Sequence, residues 1–217
     1  MKKIRVWDLP TRLFHWSLAL LVVVAVVTQN IGGNAMEWHF RAGYAILTLL
    51  LFRVVWGVFG TYYARWRRLF HAPSNFIAYL RGERRYLGHN PLGSLSVLAL
   101  LLTLLAQAGT GLFANDDIAS EGPLAKFISK DWSDRLTWFH ADVNAPLIFV
   151  LVGLHVAAIA WYGFGRRENL VKPMFSGDKL STEDAPRSED TWGRRALAAV
   201  LLAACAGLVA WLVNLPA

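Results

Sequence analysis

Five long apolar stretches constrain this chain more than any other feature of its sequence. They run over roughly 13–28, 39–60, 93–114, 145–164 and 196–213. A helix needs about 20 mostly apolar residues to cross the hydrocarbon core of a bilayer. Only 17% of the 217 residues are charged, against about 25% in an average globular chain. The expected fold is an all-α integral membrane protein with five crossings. The first stretch follows a basic start, Met1-Lys2-Lys3-Ile4-Arg5, as a secretory signal would. Thr28-Gln29-Asn30 makes a poor cleavage site, so the stretch reads as a retained helix. Asp8 is placed to cap it, with Leu9-Pro10 opening the first turn.

The net charge of +7 invites a nucleic-acid partner, but its distribution argues against one. Lys2, Lys3, Arg5 and Arg12 precede the first apolar stretch. Arg65, Arg67, Arg68, Arg81, Arg84 and Arg85 lie between the second and third, and Arg166, Arg167, Lys172, Arg194 and Arg195 between the fourth and fifth. The intervening loops are neutral or acidic: 29–38 carries only Glu37, and 115–136 holds Asp116, Asp117, Glu121, Asp131 and Asp134 against Lys126, Lys130 and Arg135. Alternating basic and acidic loops orient a membrane protein. They predict a cytoplasmic N-terminus and a C-terminus outside, with lipid rather than nucleic acid around the chain. The ten tryptophans sit near the predicted membrane ends, as an interfacial belt does. A short amphipathic segment, 73–85, is expected to lie in the interface. The lead-in 134–144 is expected to extend the fourth helix, and the mixed-charge loop 176–190 to be mobile.

One cysteine, Cys205, excludes an internal disulfide and a thiolate-held iron–sulfur cluster. No C-x-x-C-H occurs, which excludes covalent haem attachment. Any metal centre must rest mainly on histidine. Of six histidines, His71 and His89 fall in a basic loop, and His71 reads as solvated or facing headgroups. The other four lie in or at the ends of apolar stretches, where an ionisable side chain is costly and usually faces the protein interior.

Topology sorts these four by depth. His15 lies near the cytoplasmic end of the first helix, and His39 near the outer end of the second. His140 begins the fourth helix on the outer side. His155 follows fifteen residues later, about 22 Å further along and about 60° around a regular helix. Two pairs result: His15 with His155, and His39 with His140. Facing imidazoles suit two bis-histidine haems, whose filled axial positions favour electron transfer over ligand activation. Arg12, Arg41 and Arg53 lie where haem propionates need cations. A single membrane histidine is more often a packing residue. Zinc would want four ligands around one point, and a proton relay would usually add intramembrane acids.

Several motifs carry a resemblance: Val6-Trp7-Asp8-Leu9-Pro10-Thr11-Arg12-Leu13-Phe14-His15-Trp16, His39-Phe40-Arg41-Ala42-Gly43-Tyr44 with Arg53-Val54-Val55-Trp56-Gly57, Gly88-His89-Asn90-Pro91-Leu92-Gly93, and His140 and His155 followed by Asn169-Leu170-Val171-Lys172-Pro173-Met174. Over about 4–177 the chain resembles the bacterial cytochrome b561 family, in the branch of hydrogenase-type and thiosulfate-reductase-type cytochrome b subunits. The resemblance implies a four-helix di-haem transmembrane bundle over 1–177, to which the sequence adds a mobile cytoplasmic linker over 178–194 and an additional C-terminal transmembrane helix over 195–217. It implies two haem b groups and exchange with membrane quinones, with His89 and Asn90 as quinone contacts; those two residues could equally cap and turn into the third helix. It also implies electron transport in a respiratory chain to a periplasmic or peripheral redox subunit or c-type cytochrome, with a homodimer possible. Two other functions fit the same sequence: a self-sufficient superoxide-to-quinone oxidoreductase, and a non-catalytic membrane anchor binding one haem or none.

Overall fold

A computed structural model describes residues 1–118, 120–182 and 184–216. In chain order its elements are β1 (Lys2–Arg5), α1 (Leu9–Ile31), α2 (Met36–Phe59), α3 (Pro73–Leu80), α4 (Pro91–Gly111), α5 (Lys130–Trp138), a π-helical turn (Phe139–Asn144), α6 (Ala145–Phe164), α7 (Val171–Ser176), β2 (Asp178–Ser181) and α8 (Trp192–Val213). Five spans are long and apolar enough to cross a membrane: α1, α2, α4, the continuous run from α5 to α6, and α8. The expectation of an all-helical membrane protein is met.

Local chemistry sets the helix ends. Asp8 caps α1: its Oδ1 accepts from the Thr11 amide at 2.7 Å, satisfying one of the four orphan donors of a helix start. After Ile31 the chain turns through Gly32, whose φ of 68° suits glycine alone without steric cost. Asn90 caps α4, with Oδ1 accepting from Gly93 N at 2.8 Å and Pro91 at the first helical position. Exposed apolar side chains on α1, Leu20, Val23 and Val27, are what a bilayer covers.

The described residues divide into two compact units, Met1–Phe14 with Arg53–Leu100 and Leu151–Val200, and His15–Phe52 with Leu101–Val150 and Leu201–Ala217. In the first, Ile4, Val6, Trp7 and Tyr63 form a core against Tyr62, Leu87, Met174 and Ala185. The Asp8 carboxylate lies within it, 1% exposed. Its Oδ2 accepts from Thr61 Oγ1 at 2.6 Å and Trp56 Nε1 at 3.2 Å. Thr61 Oγ1 also meets Ser188 Oγ at 3.2 Å, and Ser188 Oγ donates to the Val6 carbonyl at 2.6 Å. In the second unit, Leu47 of α2, Leu112 and Leu124 pack with Val209 of α8.

Segment 178–194, expected as a mobile linker, carries structure instead. Asp178–Ser181 pairs antiparallel with Lys2–Arg5, with Lys2 opposite Ser181 and Arg5 opposite Asp178. Asp190 gathers Arg5 at 2.7 Å, Arg195 at 3.0 Å and the Leu9 amide at 3.3 Å. A charge count along one segment does not show that its carboxylates have partners nearly 190 residues away.

Candidate functional site

His39 stands in the first turn of α2 and His140 in the π turn, and their rings meet with centroids 6.4 Å apart and planes at 80°. Two imidazoles on opposite sides of one metal, each bonded at about 2 Å, place their centroids about 6 Å apart. Each ring has its other nitrogen committed. His39 Nδ1 lies 2.9 Å from the Ala25 carbonyl and His140 Nδ1 lies 2.9 Å from the Gln107 carbonyl. A carbonyl only accepts, so both Nδ1 atoms carry the proton and both Nε2 atoms keep a lone pair for a metal. This is the tautomer lock found behind metal-bound histidines. Among the described residues no group of three or more His, Cys, Asp or Glu side chains converges on one point. A pair of neutral imidazoles matches an iron whose other positions are filled by a porphyrin.

The seat of His140 is a face of α4 that sequence reasoning assigned no role. Thr103, Gln107, Thr110 and Gly111 share it by their i, i+4, i+7, i+8 spacing. Thr110 Oγ1 lies 3.3 Å from His140 Nδ1. A Cβ on Gly111 would stand 2.9 Å from His140 Cε1, so glycine lets the ring lie against the helix. The signal was present: three polar side chains on one face of an otherwise apolar membrane helix mark the face turned inward.

The remaining predicted ligands are His15, on α1 in the second unit, and His155, on α6 in the first. His15 packs edge-on against Trp16 at 5.0 Å. The three arginines differ sharply in how they are engaged. Arg41 is exposed, paired with Glu37 and over the Trp38 ring. Arg12 donates to the Phe175 carbonyl and lies 3.8 Å from Asp190, although its buried Nε has no partner among the described residues. Arg53 is 4% exposed. Its guanidinium sits 4.8 Å over the Trp66 ring, and its buried Nη1 has no hydrogen-bond partner among the described residues. A buried cation with an unmet donor calls for an anion.

Asn90, a predicted quinone contact, has both ends of its amide in use. Oδ1 caps α4, and Nδ2 donates to Tyr162 Oη at 2.9 Å. Tyr162 Oη in turn bonds Tyr79 Oη. His89 lies over Trp7, with ring centroids 4.7 Å apart. His71, expected to be solvated or to face headgroups, has protein partners instead. It is partly buried, with Nε2 3.0 Å from Ser94 Oγ and its ring edge-on to Tyr86 at 5.2 Å. Burial holds its pKa below the ordinary histidine value, against a hydrogen bond with the His89 backbone that raises it.

A model of the family described as prokaryotic cytochrome b561 matches residues 6–177. A protein of Azotobacter vinelandii named "Probable Ni/Fe-hydrogenase B-type cytochrome subunit" is 27% identical, over 83% of this chain and 90% of its own. Proteins of the same name from Rhizobium leguminosarum bv. viciae and Cupriavidus necator are 24% and 27% identical, each over 82% of this chain and over 90% and 87% of their own. No solved structure matches significantly.

Proposed function

The chain belongs to the prokaryotic cytochrome b561 family, and from that premise we propose a di-haem b-type cytochrome that carries electrons between the quinone pool and a redox partner. Haem b, held by these histidines, would supply a one-electron iron centre. The observation that carries this proposal is the His39–His140 pair: a 6.4 Å ring spacing with both Nδ1 atoms held by backbone carbonyls.

In this assignment His39 and His140 would hold one iron through Nε2 on the periplasmic side. For a second, on the cytoplasmic side, His15 and His155 are the candidates that the sequence offers, by their matched depth under the alternating loop charges. Arg53 is the preferred propionate partner, because its buried Nη1 has no hydrogen-bond partner among the described residues. Arg12, through Nε, and Arg41, after leaving Glu37, are secondary. The quinone headgroup is placed beside His89, with Asn90 organising the start of α4 rather than donating directly. The N-terminus is cytoplasmic, the C-terminus periplasmic and the membrane a bacterial inner membrane. The relatives' name supports a hydrogenase-type subunit as the redox partner.

The test is haem stoichiometry with reduced-minus-oxidised spectra of the purified protein. Two haems per chain are expected. His39→Ala removes one and leaves the other's spectrum in place; His155→Ala removes the second instead. A wild-type ratio near one, or two intact centres in His39→Ala, sinks the paired-ligand reading.

A further inference from the structure

Asn144 ends the π turn and is 2% exposed. A buried amide in a membrane helix is costly unless its hydrogen bonds are met. Its Nδ2 donates to two acceptors on α4, the Thr103 carbonyl at 3.0 Å and Gln107 Oε1 at 2.6 Å. Gln107 is also the residue whose backbone carbonyl accepts from His140 Nδ1 at 2.9 Å. The i, i+4 spacing of His140 and Asn144 puts both on one side of the turn. Asn144 therefore grips Gln107 by its side chain while His140 holds it by its main chain. A π turn is rare and tends to occur at functional sites, because its wider ring gives up regular hydrogen bonding to aim a side chain.

We propose that Asn144 and Gln107 are positioning residues for the His140 ligand: the clamp they form sets the register of the π turn against α4 and aims His140 Nε2. The inference rests on His140 being an iron ligand, as proposed above. Its physical basis is that a carbonyl held in line with Nδ1–H makes the imidazole a more basic ligand and fixes its plane. A more basic ligand favours the ferric state. Loosening the carbonyl therefore raises the reduction potential of that centre and leaves the His15–His155 centre alone.

The test is a redox titration of detergent-purified protein, with low-temperature EPR of the ferric state. Asn144→Leu removes both donors at similar volume. It is expected to raise the potential of the His39–His140 centre by about a tenfold change in its equilibrium, or about 59 mV for one electron, and to broaden its EPR signal. Gln107→Leu behaves alike. Asn144→Ser, which keeps one donor, falls between these variants and the wild type. The inference is overturned if potentials and EPR signals are unchanged in both leucine variants. It is equally overturned if Asn144→Leu fails to accumulate while Gln107→Leu accumulates unchanged. Retention of both centres in His39→Ala would mean instead that the ligand assignment itself has failed.

Discussion

At position 111 a single methyl group decides how closely His140 can lie against α4. A Cβ there would stand 2.9 Å from Cε1 and 3.3 Å from Nδ1 of the imidazole, the nitrogen already held by the Gln107 carbonyl one turn earlier. Something must shift, and the ring is the movable part. Gly111→Ala is expected to lower haem retention at that site by about tenfold, the lower end of the usual effect of disturbing a ligand's hydrogen-bonded support. Haem content after purification checks this, and a full complement counts against the close packing of ring on helix. Arg53 makes a related point with charge. Its guanidinium is buried over Trp66, within electrostatic reach of Asp8, and its Nη1 has no hydrogen-bond partner among the described residues.

Among the elements, α1 depends on a carboxylate that does more than cap it. Asp8 accepts from the Thr11 amide on one oxygen and from Trp56 and Thr61 on the other, joining the first turn of α1 to the end of α2. Removing an N-cap costs about 1 kcal/mol, and leaving buried partners without an acceptor adds about 1–3 kcal/mol. Asp8→Ala should therefore lower the thermal midpoint in detergent clearly more than Asp8→Asn, which keeps an acceptor for Thr11. A wild-type midpoint in Asp8→Asn would show that the carboxylate acts as a cap alone. The first-helix motif thus has a structural reason at Asp8, separate from the ligand role proposed for His15.

For the whole molecule, the N-terminal strand and the segment before α8 form a latch. Asp178 pairs with Arg5 at 2.6 Å and Lys3 at 3.2 Å, and Asp190 with Arg5 at 2.7 Å and Arg195 at 3.0 Å. Burial pushes both carboxyls up, but these donors, with the Leu9 amide for Asp190, outweigh it and hold both below the ordinary aspartate value. A depressed folded pKa gives stability that is present above the unfolded value of about 3.9 and is lost as the pH falls through the folded value. Hydrogen-exchange protection of the β1–β2 ladder should hold from neutral pH to about pH 4 and decline below it. Asp190→Ala should lose part of that protection already at pH 7. Protection independent of pH, with a silent Asp190→Ala, would show that the latch rests on its apolar core.

Much of this protein was legible in the sequence, because apolar run length, loop charge and histidine placement are local properties. They sufficed for five membrane-length helices, for the Asp8 cap and for pairing His39 with His140. The same sequence undervalued Thr103, Gln107, Thr110 and Asn144, which pass for ordinary small polar residues until two helices are set side by side. It missed the partners of His71 and of 178–194, since these lie on distant segments. It treated 134–144 as regular helix, whereas the π turn follows from hydrogen-bond register rather than from side-chain period. That His39 and His140 meet was thus written in composition and spacing. Which carbonyl faces each imidazole, and so which nitrogen is left for a metal, was decided only by tertiary packing, because a hydrogen bond depends on tenths of an ångström between elements some 14 to 33 residues apart.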